Sequence, residues 1–80
     1  MRLPRDLSGE ELAKQLAKFG YQVTRQTGSH MRLTRHNDNE HHITIPKHAN
    51  LRVGTLNNIL NDIAEHLKIS KEKVIHQLWA

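Results

Sequence analysis

The sequence predicts a small α+β domain, in which one helix, three antiparallel strands and a second helix follow in order, with a short third helix near the C-terminal end. Two observations support this prediction. Apolar residues recur at helical spacing before Gly20 and again after Gly54, whereas apolar and polar residues alternate over residues 21–46. Pro46 should end the alternating stretch, because proline cannot donate a hydrogen bond to a strand ladder.

The first helix has a well-marked beginning. Ser8 stands at the position of an N-cap residue, and Glu11 follows three residues later, which is the spacing of a capping box. Gly20 follows the last apolar residue of the stripe and favours the left-handed conformation in which many helices end. We therefore predict a helix over about residues 8–19.

Three short strands follow the first helix. The apolar residues that alternate with polar ones are Tyr21 and Val23, then Met31 and Leu33, then Ile43 and Ile45. The same alternation groups Arg25 with Tyr21 and Val23. The connections at residues 27–29 and 37–40 are built from residues that tolerate positive φ or bond their own backbone.

Two helices complete the predicted order. The second should begin after residues 54–55 and present a stripe of Leu56, Ile59, Leu60, Ile63 and Leu67. Either Thr55 or Asn50 is suited to cap it, and the sequence does not decide between them. Ser70 then precedes a short third helix that carries Val74, Ile75, Leu78 and Trp79.

Composition indicates one domain that depends on its hydrophobic core. We assign residues 1–80 to this domain, with a core at about 6–67 and a helical extension at 70–79. The chain has no cysteine, so neither a disulfide framework nor a thiolate zinc site can add stability. No stretch approaches the roughly 20 apolar residues of a membrane span, and no signal peptide is recognisable. We expect a cytoplasmic protein without membrane contact.

Positive charge is concentrated in the middle of the chain. The net charge is +4, and residues 21–54 carry five basic and two acidic side chains, whereas residues 55–80 carry three of each. The middle segment also contains His30, His36, His41, His42 and His48. A basic, histidine-rich segment favours phosphate-bearing partners, although a modestly basic surface also serves solubility.

The turn before the second strand has residue types suited to phosphate chemistry. Gly28 permits a tight turn or a close backbone approach, and Ser29 can donate a hydrogen bond to a phosphate oxygen. Histidine titrates near neutral pH in general, so His30 is suited to accept a proton from a ribose 2′-hydroxyl. On these residues alone, an ordinary hairpin with an exposed histidine is the simpler interpretation.

The period of two decides which side chains share a face with that histidine. If Met31 and Leu33 point towards the helices, the other face of the second strand should carry His30, Arg32, Thr34 and His36. Lys47, after the third strand, is placed to neutralise a phosphate, while a polar linker is the alternative interpretation.

The remaining histidines raise the question of a metal site, because imidazole binds zinc, copper and nickel. The spacing of His36, His41 and His42 resembles no zinc signature, and neighbouring strand residues point to opposite faces. We therefore predict no metal and no cofactor, and interpret these histidines as a solvated or phosphate-facing cluster.

An ordered set of short motifs resembles one protein family. The motifs are Ser8-Gly9-Glu10-Glu11-Leu12, Arg25 before Gly28-Ser29-His30, Thr44-Ile45-Pro46-Lys47-His48 and Gly54-Thr55-Leu56. No single motif is specific, but the collinear set over about residues 6–65 resembles the HicA (YcfA) family of small bacterial toxins. Beyond about residue 65 the chain departs from the shorter family pattern.

The resemblance implies a double-stranded-RNA-binding-like fold and the role of toxin in a type II toxin–antitoxin system. It also implies metal-independent endoribonuclease (mRNA interferase) activity and a HicB-type antitoxin that binds and silences the toxin. The family's catalytic histidine corresponds to His30, with Gly28 and Ser29 shaping its turn, and His48 matches a histidine found after the third strand in many relatives. The candidates for RNA binding are Arg25, Arg32, Lys47 and His48, and the first three are also the candidates for charge stabilisation.

Two other functions stay open at this point. A non-catalytic RNA-binding module of the same fold would recognise the backbone by shape and 2′-hydroxyl contacts, without cleavage that depends on His30. A protein-interaction domain with a basic surface would bind no RNA at any salt concentration, whereas both RNA-based hypotheses predict binding that weakens as salt rises. The oligomeric state is not determined by the sequence.

Overall fold

The computed structural model describes residues 3–37 and 39–79. Its elements are α1 (Gly9–Leu16) with a 3-10 turn (Ala17–Phe19), β1 (Gln22–Gln26), β2 (His30–Arg35), β3 (His41–Pro46), α2 (Val53–Leu67) and α3 (Lys71–Trp79). Asp38, in the predicted second turn, and the chain ends Met1, Arg2 and Ala80 of the predicted domain lie outside the described residues.

The three strands form one antiparallel sheet in the order β1-β2-β3. Met31 pairs with Ile45 and Leu33 pairs with Ile43, and all four side chains are buried. Residues paired across antiparallel strands share a face, so these four define the side of the sheet that the helices cover. The predicted α+β class with a three-stranded antiparallel sheet is confirmed, and it is consistent with a double-stranded-RNA-binding-like fold.

The core lies between the covered sheet face and all three helices. Its buried members from the helices include Leu12 and Leu16 of α1, Leu60 and Ile63 of α2, and Val74 and Leu78 of α3. The α3 helix is also tied to α1, because Lys18 Nζ donates a hydrogen bond to the Leu78 carbonyl oxygen at 2.8 Å. The C-terminal helix therefore packs on its own chain.

The start of α1 has the predicted capping box. The Glu11 amide donates to Ser8 Oγ and the Ser8 amide donates to Glu11 Oε1, each over 3.0 Å. The bond from the Ser8 amide lowers the pKa of Glu11, because it stabilises the ionised carboxylate. Gly20, at φ 88°, ends the helical segment as expected, although its last turn is of the tighter 3-10 type.

The beginning of α1 lies directly against the segment that follows β3. The Gly9 amide donates to the His48 carbonyl at 3.0 Å, and the Leu51 amide donates to the Leu7 carbonyl at 2.8 Å. A Cβ atom on Gly9 would collide with the Pro46 carbonyl oxygen. These contacts fix the chain as it leaves the sheet, so they also fix the position of Lys47.

The predicted cap of α2 is wrong. The helix begins at Val53 with Arg52 in the N-cap position, and no side chain caps it. Thr55 already lies inside the first turn, and Asn50 stands two residues before the N-cap. The helix starts earlier than its apolar stripe suggests because the Leu7–Leu51 backbone contact, rather than a capping side chain, fixes the chain just before it.

A polar cluster joins the sheet to α2; we call Tyr21, His41, Asp62 and His66 the β3–α2 cluster. Tyr21 Oη lies 2.6 Å from His41 Nδ1, and His41 Nε2 lies 3.2 Å from Asp62 Oδ1. The His41 and His66 rings stack with centroids 4.1 Å apart. Burial raises the pKa of Tyr21 to about 12, so the phenol stays protonated. Its hydroxyl therefore donates a hydrogen bond to His41 Nδ1.

The close approach at Gly9 leads to a stability prediction. We expect Gly9→Ala to lower the free energy of unfolding by about 1–3 kcal/mol, because the added methyl group displaces the Pro46 carbonyl. Gly54→Ala is the matched control, since a Cβ there meets no atom within 4 Å, and alanine favours the helix by up to about 1 kcal/mol. Urea denaturation of both variants tests this. Equal stability of the two would contradict the close approach.

The β3–α2 cluster leads to a prediction about pH. Desolvation, followed by the nearby His41, lowers the pKa of His66 in the folded state. The unfolded chain therefore binds a proton at His66 more readily than the folded chain does. The free energy of unfolding consequently decreases as the pH falls from above about 6.5 to the lowered pKa of the folded state. His66→Gln should show a smaller loss of stability between pH 7.5 and 5 than the wild type, as measured by urea denaturation.

The control for that pH experiment is His76→Gln, which removes an exposed histidine of α3 outside the cluster. It should follow the wild-type pH profile. If His66→Gln and His76→Gln gave the same profile, the β3–α2 cluster would not be the source of the pH dependence.

Candidate functional site

The turn between β1 and β2 is held by a residue that the sequence did not single out. Thr27 Oγ1 accepts hydrogen bonds from the His30 amide at 3.1 Å and from the Ser29 amide at 3.4 Å. The Thr27 amide in turn donates to the His30 carbonyl at 2.9 Å. A threonine three residues before the proposed catalytic histidine is a recognisable turn signal, because threonine hydroxyls bond nearby backbone amides.

Gly28 does not have the constraint that the sequence suggested. Among the described residues, Gly20 is the glycine with positive φ, and Gly28 is not. A Cβ atom on Gly28 would also meet no atom within 4 Å. The space above the turn is therefore open, and the turn leaves room for a ligand beside Ser29 and His30.

His30 is the first residue of β2 and lies beside the end of β3, and its side chain is exposed. Its Nδ1 lies 2.9 Å from Ser29 Oγ, and its backbone pairs with Pro46. The Ser29 carbonyl accepts a hydrogen bond from the Lys47 amide at 2.8 Å. Ser29, His30 and Lys47 are thus brought to the same end of the sheet by the β2–β3 pairing.

A β-bulge in β1 changes which face Arg25 occupies. Val23 pairs with Leu33, but the next pair is Arg25 with Arg32, so Thr24 is an extra residue. Arg25 therefore lies on the same face as Arg32, away from the helices, and the predicted grouping with Tyr21 and Val23 is wrong. Simple alternation fails here because the bulge shifts the period by one residue.

The face of the sheet that the helices leave uncovered, which we call the open face, has a polar depression. Thr34 is only 2% exposed, although it lies on this face, and its hydroxyl is 2.8 Å from both Thr24 Oγ1 and His42 Nδ1. The depression is lined by Thr24, Arg25, Arg32, Thr34, His36, His42 and Glu40. Arg32, Thr34 and His36 thus lie together, as the period of two predicts.

The histidines divide between different surroundings. His42 lies on the open face, with Nε2 3.3 Å from Glu40 Oε1, whereas its neighbour His41 faces α2 in the β3–α2 cluster. His48 is exposed, and its backbone carbonyl, rather than its ring, holds Gly9. Over residues 3–37 and 39–79, no group of three or more histidine, aspartate or glutamate side chains is arranged to hold a metal ion.

Comparisons with known proteins bear on this site. A family model described as the HicA toxin of bacterial toxin-antitoxin matches residues 9–64, from the first residue of α1 into α2. The match includes the whole sheet and the turn before His30. No curated protein and no solved structure matches the chain at a significant level. In the described part of the chain, no helix is both long and apolar enough to cross a membrane.

The turn geometry leads to a prediction about Thr27. Thr27→Val should lower the free energy of unfolding by about 0.5–1.5 kcal/mol, because the His30 amide loses its hydroxyl acceptor. Amide hydrogen exchange at His30 should also become faster. Thr27→Ser keeps the hydroxyl and should retain slow exchange. Equal exchange rates in the valine and serine variants would show that the Thr27 hydroxyl does not hold the turn.

Proposed function

The chain belongs to the HicA toxin family of bacterial toxin–antitoxin systems, and from this premise we propose that it is an mRNA-cleaving endoribonuclease with His30 as its catalytic residue. The observation that supports this most strongly is the meeting of His30, Ser29 and Lys47 at an open end of the sheet. An exposed imidazole at an open turn is suited to phosphodiester chemistry.

In the proposed reaction His30 acts as general base on a ribose 2′-hydroxyl. The 2′-oxygen forms a bond to the adjacent phosphorus and the bond from phosphorus to the 5′-oxygen breaks. The 5′-oxygen takes a proton from water, and His30 releases the proton of the 2′-hydroxyl to the solvent. The products are a 2′,3′-cyclic phosphate and a 5′-hydroxyl. Because the ribose supplies the nucleophile, the reaction needs no metal ion or other cofactor.

Ser29 would determine which tautomer of the His30 imidazole is present. When His30 Nδ1 carries the proton and donates it to Ser29 Oγ, Nε2 is left with a free lone pair that can accept the proton of the substrate. Ser29 is itself fixed, because its carbonyl accepts from the Lys47 amide and its own amide donates to Thr27 Oγ1. The orientation of the base thus depends on the turn.

The basic side chains would supply the remaining rate enhancement. General-base catalysis typically contributes about 10²–10⁴ in rate, so positioning and charge stabilisation must contribute the rest. Lys47 contacts the His30 turn through its backbone amide, whereas its Nζ donates a hydrogen bond to Gln26 Oε1 at 3.3 Å, and Gln26 pairs with Met31 of the covered face. Arg25 and Arg32 lie next to His30 on the open face, and exposed His48 follows Lys47.

The proposed partners follow from the family and from the charge of the open face. We propose that mRNA is the substrate and that a HicB-type antitoxin silences the toxin by covering this face. We further propose that the protein acts in the cytoplasm, where mRNA is translated.

One observation favours the alternative of a non-catalytic RNA-binding module. Within the described residues, Ser29 is the one side chain that hydrogen-bonds to the His30 ring, so no second proton-transfer group is positioned beside it. Such a module would use the same basic face for recognition of the RNA backbone.

Cleavage of single-stranded RNA in EDTA by the purified protein, free of antitoxin, tests the proposal. The wild type should produce 2′,3′-cyclic phosphate ends, and His30→Ala should reduce the rate by at least about 10²-fold. His76→Ala, which removes an exposed histidine of α3, is the matched control and should cleave normally. A substrate with 2′-deoxy sugars throughout should stay intact. Binding of equal strength by wild type and His30→Ala without any cleavage would instead establish the binding module.

A further inference from the structure

Two arginines face each other on the open face, and no described carboxylate forms an ion pair with either. Arg25 and Arg32 are directly paired across β1 and β2, and both are exposed. Like charges directly opposite each other destabilise a sheet. Within residues 3–37 and 39–79, the ion pairs between side chains all involve histidines, so no described carboxylate neutralises either arginine. An anion bound between the two would relieve this repulsion.

The surroundings of the arginine pair include one buried polar side chain. Thr34 is almost completely buried, and its hydroxyl holds Thr24 Oγ1 at 2.8 Å. Thr24 is the bulge residue next to Arg25, so this bond also holds the bulge in place. A hydroxyl and two guanidinium groups thus line one depression.

The distance from His30 indicates which anion fits. His30 and Arg32 are two residues apart on one strand, which separates their Cα atoms by about 6.8 Å and directs both side chains to the open face. This spacing is comparable with one nucleotide of an extended RNA strand. A chain whose scissile phosphate lies at His30 would therefore place its next phosphate at the arginine pair.

We infer that Arg25 and Arg32 share one phosphate of the substrate, the one next to the scissile phosphate, so that single-stranded RNA lies extended along β2. This flanking-phosphate site consists of Arg25 and Arg32, with Thr24 fixing the bulge beside them, and its role in cleavage rests on the nuclease function proposed above. His30 then acts at the scissile phosphate and the two arginines bind its neighbour.

The far end of the depression limits the path of the strand. Glu40 Oε1 lies 3.3 Å from His42 Nε2 and 3.8 Å from His36 Nδ1. Its carboxylate repels a phosphate that is placed beyond the arginine pair. Among the described residues, the flanking-phosphate site is therefore the last strong anion site in this direction on the open face.

A binding experiment tests the site without requiring cleavage. The probe is a single-stranded RNA with 2′-fluoro sugars, which keeps every phosphate and lacks the attacking hydroxyl. Arg25→Gln and Arg32→Gln should each weaken binding at least about tenfold, because each loses charged hydrogen bonds to phosphate. Arg5→Gln with Lys14→Gln removes two exposed charges outside the open face and is the matched control, with affinity close to wild type.

The salt dependence of binding decides whether the two arginines share a phosphate. The slope of log K against log salt should fall by about 0.7 in total when both arginines are replaced, the value for one phosphate of a single strand. A fall near 1.4 would mean two separate phosphates and would overturn the shared site. Unchanged affinity, or the same loss in the Arg5 and Lys14 control, would also overturn it.

A cleavage experiment separates this site from the nuclease proposal. The substrate is a 2′-deoxy strand with a single ribonucleotide, in which one phosphate beside the scissile one is replaced by a neutral methylphosphonate. On one of the two sides the replacement should lower kcat/KM for the wild type through KM, and cause no further loss in Arg32→Gln. If the wild type cleaves no strand, the nuclease proposal fails, while the binding measurements still decide the phosphate site.

Discussion

The arrangement of this protein depends on the alternation of side chains along β2, the central strand. Leu33 is fully buried against the helices, while His30 and Arg32 project from the other face of the same strand. Because the period of a strand is two, a slip of one residue would exchange these faces completely. Pairing with both β1 and β3 fixes the register on each side. Burial of Leu33 and exposure of His30 are therefore consequences of the same register.

Stability and the candidate site consequently occupy opposite sides of one sheet. The covered side carries the apolar core, in which each fully buried leucine or isoleucine contributes about 1.5–3 kcal/mol. The open face carries the threonine hydroxyls, the arginines and the turn at Ser29 and His30. Two polar connections cross between the layers at the edges. One is the contact of Gly9 with the segment after β3, and the other is the β3–α2 cluster.

Sequence reasoning succeeded where the signal is local. The capping box of Ser8 and Glu11 involves residues three apart, and the strands follow from their alternation. It failed for the start of α2, where a long-range backbone contact of Leu51 replaces a capping side chain. The β3–α2 cluster is likewise formed by residues distant in the chain, so no local pattern indicates it.

The same distinction applies to the candidate site. His30 was singled out by the ordered motifs of a family, and its exposure follows from the alternation of β2. Thr27 was assigned to the turn by its residue type, but its hydrogen bond with the His30 amide was not predicted. The face on which Arg25 lies was not predictable from β1 alone, because a bulge is defined by the pairing of two strands.

The bulge at Thr24 also has a consequence for how this surface can change over generations. Substitutions at Arg25 can alter its charge, but they cannot move that position to the covered side of the sheet, because its facing is set by the number of residues in β1. Only an insertion or a deletion in the strand would do so. Single-codon changes can therefore alter which side chains the open face presents, while the positions that face this side of the sheet stay the same.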